Sequence, residues 1–323
     1  MKIVYENVGD IVHKWAFKNA KVSYVQIGVS NDCNLRCVYC FQRNGHVKGA
    51  LMSKKAFRKI LQNLEMIDSI VEVEITGGEP LIHPLIGSFL EELHSRGYNI
   101  TLSTNGTLLH RIMRVLVKID DIKLNINLPS LNSNTYRKIT QSDMLNVVME
   151  NIEMLLKEKM PLRINVVLSR YNEHEIGDIY EYFSKRNILV NVFPILLNDI
   201  YGKVSYEKER ASEDGIRNAA KYVKLFKNYV CKAMTNSIFI NWKGNVFPCI
   251  VLPIKIGNIF EEPLDKILTS PRANFVKRHV RRASNKFTNP LYCPGLNASF
   301  GGHFYNVSVY LEKVYEMLTS RWG

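Results

Sequence analysis

The chain of 323 residues has no apolar run approaching the roughly 18–20 residues needed to span a bilayer. Its first residues, MKIVYENVGD, carry an acid early and no apolar core segment, so no secretory signal is expected. Cysteine is scarce, with six in the chain, and a protein this long buries enough core not to need them as staples. There is no low-complexity tract. Acidic residues are short against basic ones, 30 to 43, which leaves a net charge of +13. The deficit is sharpest from Lys266 to Tyr310, which holds no Asp or Glu but includes Arg272, Lys277, Arg278, Arg281, Arg282 and Lys286. That stretch reads as a solvated helix face or as a contact for an acidic partner. Together these features exclude a membrane-spanning, collagen-like, disordered or disulfide-stapled protein. The cytoplasm is the expected location, and there cysteines serve more often as metal ligands or redox groups than in disulfides.

What is present is alternation. Six short segments switch between apolar and polar residues with period two, around Val25–Val29, Val71–Ile75, Ile100–Ser103, Ile122–Leu128, Leu162–Leu168 and Leu189–Ile195. Each reads as a strand with two unlike faces. Helical spacing lies between them. Ser53 can cap a helix carrying Phe57, Ile60, Leu61 and Leu64, and Pro84 can open one that stops at Gly97. Further helices are expected over about 108–118, 134–158 and 173–186. Strands alternating with helices predict an α/β fold with a parallel sheet. Six units are too few for a closed eight-fold barrel, so an open, partial (β/α)6 barrel is expected. One face of its strands offers Gln26, Glu74, Ser103, Asn127 and Asn165, which suits a wet interior rather than a packed one. After about residue 197 the pattern changes to a polar loop and a helix near 214–229. A hairpin around Lys243-Gly244 follows, then a helix over about 263–281 and an apolar tail from Tyr305 to Leu318.

Three cysteines sit together as Cys33-Asn-Leu-Arg-Cys37-Val-Tyr-Cys40, directly after the first strand. Three thiolates on one tight loop can hold three irons of a [4Fe–4S] cluster and leave the fourth iron open. A zinc site would want a fourth ligand. Spacing, strand context and Tyr39 before the last cysteine resemble the signature of the radical S-adenosylmethionine (SAM) enzymes. The likeness continues in Thr76-Gly77-Gly78-Glu79-Pro80, which is similar to the family's GGE motif, and in Ser103-Thr104-Asn105-Gly106 and the stretch Leu131–Thr140 around Arg137. The resemblance implies that Tyr39, Gly77, Gly78, Glu79 and Thr104 lie at the SAM site. The glycines would leave backbone groups free for the SAM amino group. A plain helix-start carboxylate is the other reading of Glu79. Where the family has Ser-Leu-Asp this chain has Asn127-Leu128-Pro129. Asn127 and Asn165 are then candidates for the SAM ribose, or simply satisfied interior polar groups.

The other cysteines are Cys231, Cys249 and Cys293. Cys231-x12-Gly244-x4-Cys249, followed by Gly257-Asn258-Ile259 and a helix, resembles the start of the family's SPASM and twitch extensions. With only Cys293 left, the likeness implies a reduced extension with one auxiliary [4Fe–4S] cluster on three thiolates. The expected cofactors are therefore two [4Fe–4S] clusters and SAM. The expected parts are a short N-terminal segment (1–22), the partial barrel (23–197), a linker and helix (198–230), the auxiliary-cluster region (231–300) and a C-terminal helix (301–323).

The resemblance implies a fixed opening. The reduced cluster cleaves SAM, and the 5′-deoxyadenosyl radical takes a hydrogen atom from the substrate, with the difficult chemistry supplied by the cofactor. A flavodoxin- or ferredoxin-type electron donor is implied as a partner. With all six thiols assigned, thiol-dependent epimerisation is disfavoured and an oxidative modification favoured. The leading substrate is a ribosomally made precursor peptide that gains a cross-link. Only about 22 residues precede the first strand, so its leader, if acidic, would be gripped by a separate leader-binding protein or by the basic 266–286 segment. The alternative is a small molecule such as an aminosugar or nucleotide. The family's molybdenum-cofactor cyclase is of that kind, but its C-terminal double glycine is not matched by the ending Ser-Arg-Trp-Gly. An iron–sulfur scaffold or nucleic-acid-binding module is disfavoured, since no aromatic-rich binding motif accompanies the charge.

Overall fold

Alternation builds the sheet. β1 (Tyr24–Ser30), β2 (Glu72–Gly77), β3 (Asn99–Thr104), β4 (Lys123–Asn127), β5 (Leu162–Val167) and β6 (Leu189–Phe193) pair in order, all parallel. The computed structural model describes residues 21–42, 46–120, 122–198, 205–222 and 231–286, together with 313, 314 and 317. The expected Cys293 and nearly all of the expected N-terminal segment and tail helix lie outside the described residues.

The apolar strand positions Val25, Ile27, Val73, Ile75, Leu102 and Ile126 are buried in one core with the inward faces of the helices. α1 (Lys54–Glu65) starts where Ser53 Oγ accepts from the Ala56 amide at 3.1 Å. It buries Phe57, Ile60, Leu61 and Leu64, each contributing roughly 1.5–3 kcal/mol of transfer free energy. Phe57 stacks on Phe89 of α2 (Ile86–Ser95) with ring centroids 4.0 Å apart. α2 begins two residues later than Pro84, because a 3₁₀ turn over Pro80–Ile82 occupies the approach.

Four other expected helices differ from the sequence pattern. The stretch near 108–118 is a 3₁₀ turn, Leu109–Arg111, and the short α3 (Met113–Leu116). The long stretch 134–158 is two helices, α4 (Ser133–Thr140) and α5 (Leu145–Lys157). The break is Gln141, which takes the left-handed conformation at φ 59° and donates its amide to the Arg137 carbonyl, closing α4. α6 (Ile176–Ser184) is shorter than the pattern suggested, and α7 (Glu213–Ala219) passes into a 3₁₀ turn over Ala220–Tyr222, with the rest of the expected range outside the described residues.

The hairpin around Lys243-Gly244 is present, with Gly244 at φ 74°. Its strands are β7 (Ser237–Ile240) and β8 (Asn245–Phe247), and β9 (Gly257–Asn258) follows. β7 pairs parallel with β1, so the hairpin continues the barrel sheet. The result is one open nine-stranded sheet in the order β6-β5-β4-β3-β2-β1-β7-β8-β9. The helix expected over 263–281 is α8 (Leu264–Thr269) and α9 (Pro271–Lys286). Pro271 separates them, since proline removes the amide that would continue α8. α9 buries Ala273, Val276 and Val280 and exposes Arg272, Arg278 and Arg282.

The polar strand face is continuous. Gln26 is level with Glu74, and Asn127 with Asn165 and Asn191. Glu74 is its hub, accepting from the Tyr24 hydroxyl, from Gln26 Nε2 at 2.9 Å and from the Ser103 hydroxyl. Burial raises its pKa above the usual 4.5, against the opposing pull of Ser103 and Arg163. A raised carboxylate binds its proton more tightly when folded, so its stabilising contribution is full below 4.5 and is lost as pH rises through the raised value. We expect the melting temperature of the protein, relative to Glu74→Gln, to fall as pH rises from about 4.5, with the difference level once Glu74 is ionised. Thermal denaturation across that range checks this; a difference that grows with pH would contradict it.

Candidate functional site

The carboxyl end of β1 runs straight into the cysteine loop, and three neighbours fix that loop. From β2, the Gly78 amide donates to the Ser30 carbonyl at 2.9 Å and the Glu79 amide to the Asp32 carbonyl at 2.8 Å. From α4, the Thr140 and Ile139 carbonyls accept from the Arg36 and Val38 amides at 3.1 and 2.8 Å. The Tyr206 hydroxyl donates to the Cys40 carbonyl at 2.9 Å. Within the loop, Asp32 Oδ1 and Oδ2 accept from the Cys33 and Gly49 amides at 2.8 and 2.9 Å. Cys33, Cys37 and Cys40 are all partly exposed. Cys33 Sγ receives the Leu35 amide at 3.4 Å and Asn105 Nδ2 at 3.9 Å. Burial pushes its pKa up to about 12, partly opposed by that amide. A metal that binds Cys33 must therefore displace a proton.

Gly77 and Gly78 are where the β2 turn meets this loop. A Cβ on Gly77 would lie 2.3 Å from the Ser30 carbonyl oxygen, and one on Gly78 2.3 Å from that of Asp32. The close approach they permit is first of all to the cysteine loop. The Gly78 amide, expected from the sequence to stay free for a ligand, is engaged with Ser30.

Glu79 and Thr104, both read from the sequence as SAM contacts, face each other inside the protein. Glu79 is 0% exposed. Its Oε1 accepts from the Leu81 amide at 3.0 Å and the Thr104 hydroxyl at 2.7 Å, and its Oε2 from the Asn105 amide at 2.7 Å. The carboxylate thus caps the Pro80–Ile82 turn and also ties it to the end of β3. Burial pushes its pKa up to about 7 despite the three donors. Asn105 extends the tie: its Nδ2 donates to Asn34 Oδ1 at 2.9 Å, and its Oδ1 accepts from Thr107.

Asn127 and Asn165 stand level on β4 and β5, both half-buried on the inner face. Asn165 Oδ1 accepts from Asn191 Nδ2 at 3.1 Å. At the departure from the family pattern, the Pro129 carbonyl accepts from Asn172 Nδ2 at 2.8 Å and the Ser130 hydroxyl donates to Glu175. The acid in this turn comes from the segment after β5 rather than from position 129.

The second group of cysteines brackets the hairpin. Cys231 is buried ahead of β7, and Cys249 follows β8, bridged to Leu252. Cys249 lines a cavity of about 100 Å³ that also reaches Ser30, Gln42 and Gly77 beside the first loop. Phe239, Trp242 and Phe247 form its aromatic side. The Phe239 ring lies over Gly28, where a Cβ would sit 3.0 Å away.

By donor chemistry the first loop suits an iron–sulfur cluster, while its thiols are not gathered into a closed metal-ligand group among the described residues. The carboxylates closest to the first loop, Asp32 and Glu79, spend their oxygens on backbone and hydroxyl donors, which leaves the thiols of Cys33, Cys37 and Cys40 as soft ligands. Sequence reasoning missed Asp32, Asn34 and Thr107, which shape the loop, and quoted Asn105 in a motif without giving it a role. It also missed His83, whose ring pairs with the Met52 carbonyl at 2.7 Å and accepts the Leu85 amide at 3.1 Å, bracing the turn from behind. A polar residue within or beside a motif was the only signal for them.

Comparison with known proteins gives the following. Residues 27–183 match the Radical SAM superfamily, and residues 231–295 match SPASM, an iron–sulfur cluster-binding domain. A GTP 3′,8-cyclase of Helicobacter pylori (strain HPAG1) is 30% identical over 240 residues, 72% of this chain and 73% of that protein. One of Desulforamulus reducens is 34% identical over 167 residues, about half of each chain at 50% and 51%. Among solved structures, anSMEcpe with bound AdoMet superposes with a TM-score of 0.74 at 14% identity, covering 93% of each chain. Streptococcus suis SuiB bound to precursor peptide SuiA gives 0.67 at 16%, covering 95% of this chain and 80% of that one. These two likenesses are of fold.

Proposed function

Since this chain belongs to the radical SAM superfamily and carries a SPASM iron–sulfur cluster-binding region, we propose that it uses SAM to modify a peptide oxidatively, forming a cross-link with loss of two hydrogens. Cys33, Cys37 and Cys40 would hold the first [4Fe–4S] cluster, and Cys231, Cys249 and Cys293 the second. When bound, these groups and SAM supply reductive cleavage of SAM, hydrogen-atom abstraction and an acceptor for the remaining electron. The chain's own residues do the positioning. Glu79, Thr104 and Asn105 lock the β2 and β3 turns against the cysteine loop, and Asn127 and Asn165 offer amides toward the interior.

The observation that carries the peptide reading is the cavity wall. Its described lining is neutral, with the amides of Asn31, Gln42 and Asn241 beside aromatic and aliphatic groups such as Trp242 and Ile250, and no Lys or Arg. A nucleoside triphosphate calls for cations around its phosphates, whereas a peptide presents neutral amides that Asn and Gln match as both donor and acceptor. The exposed arginines of α9 suit an acidic leader. SuiB, of similar fold, is a protein whose structure holds a precursor peptide.

A second reading, a cyclisation or rearrangement of a nucleotide, is favoured by the 30% identity to a GTP 3′,8-cyclase across 73% of that protein. One assay separates the two. Anaerobically reconstituted protein with SAM and dithionite is offered candidate peptides or GTP, and 5′-deoxyadenosine is measured with product masses. Release stimulated by peptide, with a product two hydrogens lighter, supports the first reading. Stimulation by GTP alone overturns it.

A further inference from the structure

Asn105 is buried in the Ser103-Thr104-Asn105-Gly106 stretch, where β3 ends beside the cysteine loop. Its side chain belongs to a ring of three hydrogen bonds that runs in one direction. Asn105 Nδ2 donates to Asn34 Oδ1 at 2.9 Å, Asn34 Nδ2 to Thr107 Oγ1 at 2.8 Å, and Thr107 Oγ1 to Asn105 Oδ1 at 2.6 Å. The Thr107 backbone amide donates to the same Oδ1 at 3.0 Å. A backbone amide can only donate, so it fixes which end of the Asn105 side chain is the oxygen. The NH₂ end then has two hydrogens and faces two acceptors. One is Asn34 Oδ1; the other is the Cys33 sulfur, 3.9 Å away, a long reach for an oxygen acceptor that the larger sulfur atom accommodates. Asn34 follows Cys33 directly in the chain, so the ring ties the donor to the loop that carries its acceptor. The Glu79 carboxylate accepts from the Asn105 backbone amide at 2.7 Å, which anchors the main chain as well.

We propose that Asn105 is a positioning residue for the first cluster: its second side-chain N–H donates to the Cys33 sulfur when that sulfur is a thiolate ligand, and so makes the cluster easier to reduce. The inference rests on the proposed function, which places a cluster at Cys33. A hydrogen bond to a charged acceptor is stronger than one to a neutral thiol. Reduction adds electron density to the sulfurs, so a donor held in place stabilises the reduced cluster more than the oxidised one. The Leu35 amide, 3.4 Å from the same sulfur, is a donor from within the loop. Asn105 adds one from the sheet and tunes the cluster without ligating it.

The test is an EPR-monitored redox titration of the full-length reconstituted protein, following the signal that changes on SAM addition. Asn105→Leu, similar in size and without a donor, is expected to hold unchanged iron and to lower the reduction equilibrium about tenfold, which is about 59 mV more negative for a one-electron couple. Thr107→Val is the structural control. It breaks the ring but leaves the Thr107 amide on Asn105 Oδ1, so it is expected to lower the melting temperature of the cluster-free protein and to keep the parent's potential. A SAM-responsive signal whose potential does not move in Asn105→Leu, or moves equally in both variants, overturns the bond alone. Should Asn105→Leu fail to hold iron, the unaltered protein isotopically labelled at its asparagine side-chain nitrogens decides the matter. Pulsed EPR of its reduced cluster is expected to show a coupling to the labelled nitrogen, and absence of that coupling overturns the bond. Absence of any SAM-responsive signal in the unaltered protein removes the proposed function and the bond with it.

Discussion

Cys37→Ala is expected to reduce 5′-deoxyadenosine release to background and to lower the iron content by about four per chain, the complement of one [4Fe–4S] cluster. Cys37 is the most informative of the three thiols because its backbone neighbours are held independently of it, through the Arg36 and Val38 amides on the end of α4. Cys37 is also only partly buried, so truncating it opens no large cavity. The loop should therefore keep its place while losing one ligand. The melting temperature of the cluster-free variant checks that separation: it should match that of the cluster-free parent. Retained iron and retained SAM cleavage would show that Cys37 is not a ligand.

Glu79→Ala is expected to produce the largest loss of stability at the site. The carboxylate lies at 0% exposure and serves three donors, the amides of Leu81 and Asn105 and the hydroxyl of Thr104. Truncation leaves two amides buried without an acceptor, each costing about 1–3 kcal/mol, for a total of about 4 kcal/mol. Glu79→Gln keeps one acceptor oxygen but turns an NH₂ toward a donor, and should fall between. Urea denaturation of the cluster-free proteins measures the series. If Glu79 instead acted chiefly on bound SAM, Glu79→Ala would leave cluster-free stability near that of the parent and weaken only SAM binding. The ordering of stabilities thus separates a tie between two turns from a ligand contact.

The fold was readable where the pattern was local. Alternation marked every strand from β1 to β6, and Ser53 marked the start of α1 by its hydroxyl alone. It was unreadable where conformation or pairing was decided at a distance. Gln141 interrupts 134–158 in the left-handed region without the glycine that usually announces such a turn. β7 adds to β1 across about two hundred residues, so the hairpin looked like part of a separate unit. At the site, spacing brought out the cysteines and the Gly77-Gly78-Glu79 turn, but not the direction in which Glu79 points. That direction depends on Thr104 and Asn105, and a carboxylate at this position reads equally well as a cap or as a ligand.

The most direct measurement is the EPR spectrum of the anaerobically reduced protein before and after SAM is added. If the thiols at positions 33, 37 and 40 are the cluster's protein ligands, one iron is left for SAM, and its addition should change the g-values of a [4Fe–4S] signal that Cys37→Ala lacks. A spectrum identical with and without SAM, in protein that demonstrably carries iron at this loop, would contradict the assignment of the first loop as a SAM-binding cluster site.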